Sequence, residues 1–310
     1  MLTPTQKKTA EAIVNIFETG DVRGDYGGVT VIPGDTGHLT FGRSQTTLST
    51  GNLGDLVSRY AGTPSARFAN ALQPYIARLQ ARDVGLDGDG LLHNVLRATA
   101  DDPVMRDTQD RFFDDRYWVP AERAATREGI ASPLGVGVVY DSTVHGSWIL
   151  IRDRTNAAIG TVTAAGERPW LTRYVQERRA WLAGSSRTDL RATVYRMDAL
   201  GRLIDLDGWN LTLPLVVRGQ EISQASLVAA PRGCYDGPEP GTRPLAVQSP
   251  MQRGLDVRLF QLGLSRRGIG VKADGIFGRD AARAVSDYQD ANGLPVTGVA
   301  DVALVASVIA

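Results

Sequence analysis

The sequence has 310 residues, so it exceeds one ordinary domain and can bury at least one sizeable core. Its 34 basic and 34 acidic residues cancel, which gives no basic excess to favour nucleic acid or an anionic membrane surface as a partner. Cys234 is the only cysteine, which excludes an intrachain disulfide and a cysteine metal cluster, and the three histidines show no ligand spacing. We therefore expect neither a metal nor another cofactor.

The amino terminus bears on where the protein is made. Residues 1–8 are followed by no apolar run, and no stretch approaches the roughly 18 apolar residues of a membrane span. We expect synthesis in the cytoplasm without a signal peptide, and no membrane insertion. Since no heptad seam is present, we also expect a monomer.

The first predicted helix covers residues 3–20 and ends close to a carboxylate, Glu18. A threonine cap, a proline in the first turn, an apolar stripe and a final glycine all favour it. Residues 29–33 alternate like a strand, 34–37 have turn composition and carry Asp35, and 38–42 are typical of a return strand. The sequence therefore predicts two acids, from different elements, that face one cleft.

The surroundings of the two acids predict different roles. Glu18 lies near the negative end of the helix dipole and beside Ile16 and Phe17, which disfavours a negative charge and suits a general acid. Asp35 lies in a polar turn, where a hydrated carboxylate suits a general base or the stabilisation of positive charge. Two acids in contrasting environments are what hydrolysis of a glycosidic bond requires. Taken alone, either residue could be an ordinary surface acid or turn former.

The middle of the chain is predicted to be mainly helical. Residues 53–81 have helical periodicity with a break at 63–64. Residues 87–90 resemble the start of a calcium loop without its closing acid, and a plain turn is expected there. A helix begins near residue 102 and is expected to end within residues 117–120, and another covers residues 132–145.

A buried charge network is predicted from helical geometry. Asp141 lies within a helix that is apolar on nearly every side, and an unpaired buried charge is very costly. Arg196 falls on the apolar arc of residues 189–205, so its guanidinium must also be paired. With Arg178 as a third member, we predict a network that reaches Glu18. The alternative is that these charges only hold the helices in register.

The carboxyl-terminal third changes in composition. Residues 211–217 are expected to form a closing strand, and residues 233–250 are rich in proline and glycine, which is typical of a flexible linker. The predicted domains are therefore a catalytic domain at 1–232, a linker at 233–250 and a small domain at 251–310.

Two segments, at residues 16–20 and 34–43, resemble the family-46 chitosanases. The resemblance continues in the family's order over most of residues 3–218. The further matching segments are Thr46-Thr47, Thr50-Gly51, Gln109-Asp110, Tyr117-Trp118, Tyr140-Asp141, Arg178-Arg179-Ala180 and Arg196-Met197-Asp198.

The resemblance implies an α+β, mainly helical, lysozyme-like fold with a small antiparallel sheet, which cuts β-1,4 linkages between amino sugars with inversion. It implies that Glu18 is the general acid, that Asp35 is the base and that Thr40 helps to hold the attacking water. The charge relay that tunes Glu18 would consist of Asp141, Arg178 and Arg196.

One position departs from the family pattern. Where these chitosanases usually carry an aspartate that binds the ammonium of glucosamine, this chain has Asn52, whose amide supplies no charge. A neutral N-acetylated sugar therefore becomes more plausible. Together with Asn52, we predict Arg43 and Tyr26 as substrate-binding residues.

The last 60 residues resemble the three-helix peptidoglycan-binding module of many wall hydrolases. Their most specific segment is Asp274-Gly-Ile-Phe-Gly278, whose glycines shape a turn and whose Phe277 is expected in the core. We assign Asp274, Gly275 and Gly278 to this wall-binding module.

Together these features predict a modular glycoside hydrolase of the endolysin type, without a cofactor, that cuts the glycan strands of peptidoglycan as a lysozyme or muramidase does. Such a protein would be antimicrobial and would reach the wall through a holin or a secretion system. The alternative hypothesis within enzymes is that the protein is a chitosanase that hydrolyses chitosan. A non-catalytic, wall-binding structural protein is the alternative of another class.

Overall fold

The computed structural model describes residues 2–43 and 45–309, which divide into two compact units. The first unit combines the chain up to Gly24 with Phe112–Ala229. The second unit combines Asp25–Arg111 with Ala230–Ala310. Each unit is thus assembled from two separate stretches of the chain.

The first unit is built from helices and one hairpin. Its elements are α1 (Pro4–Thr19), a π-helical turn (Asp114–Trp118), α7 (Val119–Glu128), α8 (Pro133–Val144), α9 (Trp148–Ile159), α10 (Val162–Ala165), α11 (Glu167–Ala183), α12 (Thr188–Arg191), α13 (Tyr195–Asp205), β4 (Leu215–Val217), β5 (Gln220–Ile222) and α14 (Gln224–Val228).

Helix α1 follows its predicted bounds because both ends are capped. The Thr3 side chain accepts a hydrogen bond from the Gln6 N–H, and the Gln6 side chain accepts one from the Thr3 N–H. Gly20 ends the helix in the left-handed conformation, with φ of 74°, and its N–H donates to the Ile16 carbonyl. Glu18 is thereby held in the last turn.

Helix α8 is the central element of the first unit. Residues 133–142 are all buried, and α8 packs against α1, α7, α9 and α11. Trp148, Trp170 and Tyr174 form an aromatic cluster in the same core, with ring centroids 5.2–6.2 Å apart. The prediction of an apolar, central helix is confirmed.

Helices in the second unit flank a small sheet. The elements of this unit are β1 (Val29–Thr30), β2 (Thr40–Phe41), β3 (Thr46–Thr47), α2 (Asn52–Ala61), α3 (Ala69–Leu72), α4 (Ile76–Gln80), α5 (Gly90–Thr99), most of α6 (Pro103–Phe113), β6 (Gln252–Arg253), α15 (Leu255–Arg266), β7 (Ile276–Phe277), α16 (Arg279–Ala291) and α17 (Val302–Ile309), with 3-10 turns at Gln73–Tyr75 and Val84–Gly88.

The predicted strand pair is shorter than expected and gains a third strand. Thr40 of β2 pairs with Thr30 of β1 and with Thr47 of β3, both antiparallel, in a sheet of order β1-β2-β3. Residues 31–33 leave the sheet because they turn into the loop that carries Asp35. Pairing in the wrong register would expose Phe41, which is fully buried.

Three predicted elements differ from the structure around prolines. Helix α6 does not end the helical run before Pro120, because a π-helical turn follows in which the Val119 N–H donates to the Asp114 carbonyl. Pro120 then lies in the first turn of α7, where a missing N–H is tolerated. Pro74 places a 3-10 turn between α3 and α4, and Pro214 restricts the predicted 211–217 strand to Leu215–Val217.

The helix predicted over residues 189–205 is interrupted as well. Helix α12 ends at Arg191, and the next helix, α13, begins at Tyr195. Thr193 accounts for part of the break, because its hydroxyl donates to the Leu190 carbonyl and competes with helical bonding. Arg196 consequently lies in the first turn of α13.

The carboxyl-terminal module, described over residues 251–309, packs on α5 within the second unit. Arg258 of α15 forms a buried ion pair with Asp101, with Nε 3.1 Å from Oδ2. Asn94 of α5 donates to the Val271 carbonyl (2.7 Å) and accepts from the Ala273 N–H (2.9 Å). These contacts fix the module to the residues around α5.

The segment predicted as a flexible linker is held by specific hydrogen bonds. The Tyr235 N–H donates to Asp101, and the Gly233 carbonyl accepts from Arg258. The Gly237 and Pro238 carbonyls accept from the first residues of α15. Proline and glycine therefore shape an ordered path here rather than a free tether, and the boundaries at 233–250 stay a prediction.

Across residues 2–43 and 45–309, no helix is both long enough and apolar enough to cross a membrane.

Candidate active site

Glu18 is the half-buried end of a row of charges in the first unit. Its side chain is 28% exposed, and its carboxylate accepts a hydrogen bond from Nη2 of Arg196. The last turn of α1 and its glycine cap fix the position from which the side chain extends. A carboxylic acid is therefore held next to a buried cation while part of it remains open to solvent.

The row continues through Asp141 to Arg178. Oδ1 of Asp141 accepts from Nη1 of Arg196 (2.8 Å), and Oδ2 accepts from Nη1 of Arg178 (2.5 Å). Asp141 and Arg178 are fully buried, and Arg196 is nearly so. The side chains predicted to form a buried network do contact one another, and α8, α11 and α13 each supply one of them.

Charge alternation is what makes this burial tolerable. Burial by itself raises the pKa of Asp141, but the guanidinium groups of Arg178 and Arg196 outweigh it and hold that pKa below its usual value. Burial likewise opposes the charge of Arg196, whereas Asp141 and Glu18 raise its pKa. The charges of Asp141 and Arg196 are thus maintained in the core.

Two further partners of Arg178 were not predicted. Nη2 of Arg178 donates to Nδ1 of His145 (3.2 Å), and Nε donates to Oγ of Ser147 (3.1 Å). Because Arg can only donate, His145 accepts as a neutral imidazole. Burial, followed by the charges of Arg196 and Arg178, lowers the pKa of His145 to about 4. The sequence contained a signal for this contact, because His145 follows Asp141 by four residues and so lies on the same face of the helix.

Asp35 and Thr40 belong to the second unit. Asp35 is exposed in the turn after β1, where its N–H donates to the Ile32 carbonyl (3.0 Å). Gly37 leaves room for it, since a Cβ at Gly37 would lie 2.9 Å from Asp35 Oδ2. Thr40 is half-buried in β2, and its hydroxyl donates to the His38 carbonyl (3.1 Å). The carboxylate of Asp35 is thus open to solvent, and its role as the base stays a prediction.

Tyr26 and Arg43, predicted as substrate-binding residues, are both almost fully buried. The Tyr26 hydroxyl donates to Asp110 (2.6 Å), Arg43 contacts the same carboxylate, and the Arg43 N–H donates to the Gln109 side chain (2.8 Å). Their observed contacts hold the start of the loop after β2 against α6. A direct contact of either side chain with a sugar stays a prediction.

Asn52 is the first residue of α2 and is half-buried. Its N–H donates to the hydroxyl of Thr50 (3.3 Å), two residues earlier in the chain, so Thr50 helps to fix the start of the helix. Gly51, with φ of 82°, allows the sharp entry into the helix. The role of Asn52 in sugar recognition stays a prediction.

The three residues assigned to wall binding shape the module itself. Asp274 accepts from the Gln261 side chain (3.1 Å) and from the Ile276 N–H (3.0 Å). Gly275 has φ of 75°, and a Cβ there would collide with the Tyr235 ring. Gly278 precedes α16 as its amino-terminal cap. Contact of these residues with the wall stays a prediction.

Among the residues that the structure describes, no group of three or more His, Cys, Asp or Glu side chains could hold a metal ion.

Comparison with known proteins defines the chain as a glycoside hydrolase. Residues 12–215, well over half of the chain, match the model of Glycosyl hydrolase family 46. The chain belongs to glycosyl hydrolase family 46. Residues 253–307 match a second family, described as "Putative peptidoglycan binding domain".

Individual relatives point the same way. The chain is 29% identical over 238 residues to a chitosanase of Bacillus subtilis (strain 168), covering 71% of this chain and 84% of that protein. It resembles the crystal structure of native chitosanase from Bacillus subtilis MY002, with a TM-score of 0.60, 26% identity and coverage of 70% and 96%. The GH46 chitosanase of Gynuella sunshinyii, in complex with chitotetraose, gives a TM-score of 0.60, 26% identity and coverage of 72% and 98%. The predicted mainly helical α+β fold is confirmed.

Proposed function

We propose that this protein is an endo-acting hydrolase of the β-1,4 linkages in chitosan. The sequence alone favoured peptidoglycan as the substrate. The comparisons support chitosan better, because the relatives reported above are chitosanases and one of them is in complex with chitotetraose.

The observation that carries the proposal is the row of charges from the buried Arg178 to the half-buried Glu18. In the proposed mechanism, Glu18 donates its proton to the oxygen of the leaving sugar. The carboxylate that results is stabilised by Arg196, whose orientation is held by Asp141. The acid is thus supported where negative charge develops.

Asp35 and Thr40 would supply the second half of the reaction. A hydrated carboxylate can accept a proton from water, and an inverting enzyme needs such a base on the face of the sugar opposite the leaving group. The exposure of Asp35, and a Thr40 hydroxyl that is oriented by the His38 carbonyl, support these roles.

Peptidoglycan is the second candidate substrate, and two observations favour it. Asn52 stands where the related chitosanases usually carry an ammonium-binding aspartate, and residues 253–307 match the peptidoglycan-binding family. In that case the protein would act as a muramidase of endolysin type and reach the wall through a holin or a secretion system.

The two substrates are distinguished by the ends that cleavage creates. Purified protein is incubated in parallel with soluble chitosan and with purified sacculi, and the products are reduced with borohydride and analysed by mass spectrometry. We expect new reduced glucosamine ends from chitosan. New reduced muramic acid ends from sacculi, with little release from chitosan, would instead establish the second candidate.

Glu18→Gln is the matched control for both substrates, because it keeps the size of the side chain and removes the transferable proton. We expect activity to fall by about 10²- to 10⁴-fold while the thermal unfolding curve is retained. An unchanged rate would remove Glu18 from the mechanism. Products from neither substrate would favour the non-catalytic, wall-binding alternative.

A further inference from the structure

One carboxylate of the second unit holds the segment between Asp35 and Thr40. Oδ2 of Asp87 lies 2.8 Å from Nδ1 of His38, and Oδ1 of Asp87 accepts from the Leu39 N–H (2.8 Å). The side chains of His38 and Asp87 are 36% and 24% exposed. Two successive residues of the segment are therefore fixed by a single side chain.

The held segment needs an external support. Residues 34–37 contain two glycines, which give the turn that carries Asp35 little rigidity of its own. His38 has φ of 58°, in the left-handed region that costs energy for a residue with a Cβ. The contacts of Asp87 with the His38 ring and with the Leu39 N–H help to offset that cost.

The support itself is rigid. Asp87 lies in the 3-10 turn Val84–Gly88, whose Leu86 is fully buried. Nε2 of His93, on α5, donates to the Leu86 carbonyl (3.0 Å), since a carbonyl can only accept. Asp83 caps the turn by accepting from the Gly85 N–H. A helix and a cap therefore hold Asp87 in place.

The fixed segment leads directly to both proposed groups. The His38 carbonyl accepts from the Thr40 hydroxyl, so the position of His38 sets the orientation of Thr40. Asp35 lies three residues before His38 on the same turn. Any movement of His38 and Leu39 is consequently passed to the proposed base and to the proposed water-holding hydroxyl.

We propose that Asp87 and His38 are positioning residues for the reaction, which hold Asp35 and Thr40 in the geometry that activates water. This inference rests on the proposed function, because it acts through Asp35 and Thr40. It assigns a role to the Asp-Gly-Asp-Gly segment at residues 87–90, which the sequence alone presented as a plain turn.

The first test compares Asp87→Ala with Asp89→Ala. Asp89 is in the same segment, but it caps α5 by accepting from the Leu92 N–H (2.9 Å) and pairs with Arg78 (3.6 Å) instead of with the segment that carries Asp35 and Thr40. On chitosan, we expect Asp87→Ala to lower kcat by about 10- to 100-fold with KM within about twofold, since small misplacements cost this much. Asp89→Ala should keep the parent kcat.

Conservative variants separate positioning from stability. Asp87→Asn keeps an acceptor for the Leu39 N–H and offers a donor to Nδ1 of His38, so most of kcat should return. His38→Gly keeps the backbone conformation but removes the contact, and His38→Asn restores a donor at the same position. We expect His38→Asn to exceed His38→Gly in kcat. Equal kcat for Asp87→Ala and the parent would overturn the proposal.

Hydrogen–deuterium exchange gives a readout that does not depend on activity. In the full chain, Asp87→Ala should speed exchange in a peptide covering residues 34–40, and Asp89→Ala should not. Unchanged exchange would overturn the proposal even if the parent hydrolysed neither substrate. Faster exchange with an unchanged kcat would show that the contact holds the segment without serving the reaction, which would also overturn it.

Discussion

At the scale of single residues, Asp141 shows why a charge can be kept in the core. Removing a carboxylate from water costs several kcal/mol, and only partners with good geometry offset that cost. Asp141 has such a partner on each oxygen, Arg178 and Arg196. Because α8, α11 and α13 each supply one member of the row, the guanidinium of Arg196 is held in a fixed position beside Glu18.

Neutralising Asp141 should therefore be costly. In Asp141→Asn, two buried guanidinium groups lose their shared counter-charge, and we expect the free energy of unfolding to fall by about 3–5 kcal/mol. The matched control is Asp198→Asn, because Asp198 pairs with Arg179 on the surface, where both side chains are about half exposed. That change should cost less than about 1 kcal/mol. Urea denaturation measures both, and equal losses would contradict the argument.

His145 should make stability depend on pH. Its pKa falls from 6.5 to about 4 on folding, so between these values the unfolded chain binds a proton here and the folded protein does not. The contribution is fully present above about pH 6.5 and is lost as the pH falls towards 4. In His145→Asn, which keeps an acceptor for Arg178, this loss should disappear.

The measurement is the free energy of unfolding of both proteins, from urea denaturation at intervals between pH 7 and pH 4. Asp101 acts in the opposite direction, because burial raises its pKa to about 6, but it is common to both proteins and cancels in the comparison. Parallel pH curves for parent and variant would show that His145 does not make the stability depend on pH.

At the scale of elements, α8 depends on glycine for close packing at one position and not at another. A Cβ at Gly135 would lie 2.7 Å from side-chain carbons of Ile130 and Leu171, whereas a Cβ at Gly137 would lie 3.5 Å from Ala10 Cβ. Both glycines are buried in the same helix with ordinary helical backbone. Helix propensity therefore favours alanine equally at the two positions, and packing separates them.

Alanine substitutions should separate propensity from packing. Gly135→Ala should destabilise the protein by about 1–3 kcal/mol, because well-packed neighbours must move. Gly137→Ala should be neutral or stabilise it by up to about 1 kcal/mol, since the Cβ meets ordinary contact distance. The midpoints of urea denaturation of the two variants and the parent measure both changes in stability. A destabilisation of similar size at Gly137 would mean that the helix tolerates no added carbon.

At the scale of the whole molecule, the carboxyl-terminal module is joined to α5 by buried polar contacts. Arg258 is 4% exposed and its partner Asp101 is fully buried. Arg258 also donates to the carbonyls of Arg97, Gly233 and Asp274. Such an interface resembles a packed core more than a tether, so the module and the residues around α5 should unfold together.

Arg258→Met tests this coupling. It leaves the Asp101 carboxylate buried without its cation, and we expect a loss of about 3–5 kcal/mol together with faster protease cleavage within residues 233–250. Arg283→Met is the control, because Arg283 is 75% exposed and pairs with the 94% exposed Asp280 in the same module. Thermal unfolding and limited proteolysis report both effects. Unchanged cleavage in Arg258→Met would show that the ion pair does not hold the segment.

Much of this protein followed from local patterns in its sequence. The caps of α1, the apolar central helix and the alternation of charge between Asp141, Arg178 and Arg196 depend on helical periodicity and on the cost of an unpaired buried charge. Helical periodicity acts within a single helix. The cost of an unpaired buried charge applies to residues that the periodicity already places in the core. The mainly helical α+β fold and the family were expected on another basis, the resemblance of segments such as residues 16–20 and 34–43 to the family-46 chitosanases.

Other features were decided by the tertiary structure alone. The π-helical turn before Pro120, the third strand, the burial of Tyr26 and Arg43, and the contact of Asp87 with His38 all depend on which distant segments meet. The ordered path of residues 233–250 is of the same kind, because proline and glycine favour a turn and a flexible linker equally until a partner such as Arg258 is present. The sequence of a segment determines which backbone conformations it prefers. Which residues from distant segments contact one another is determined only when those segments pack together.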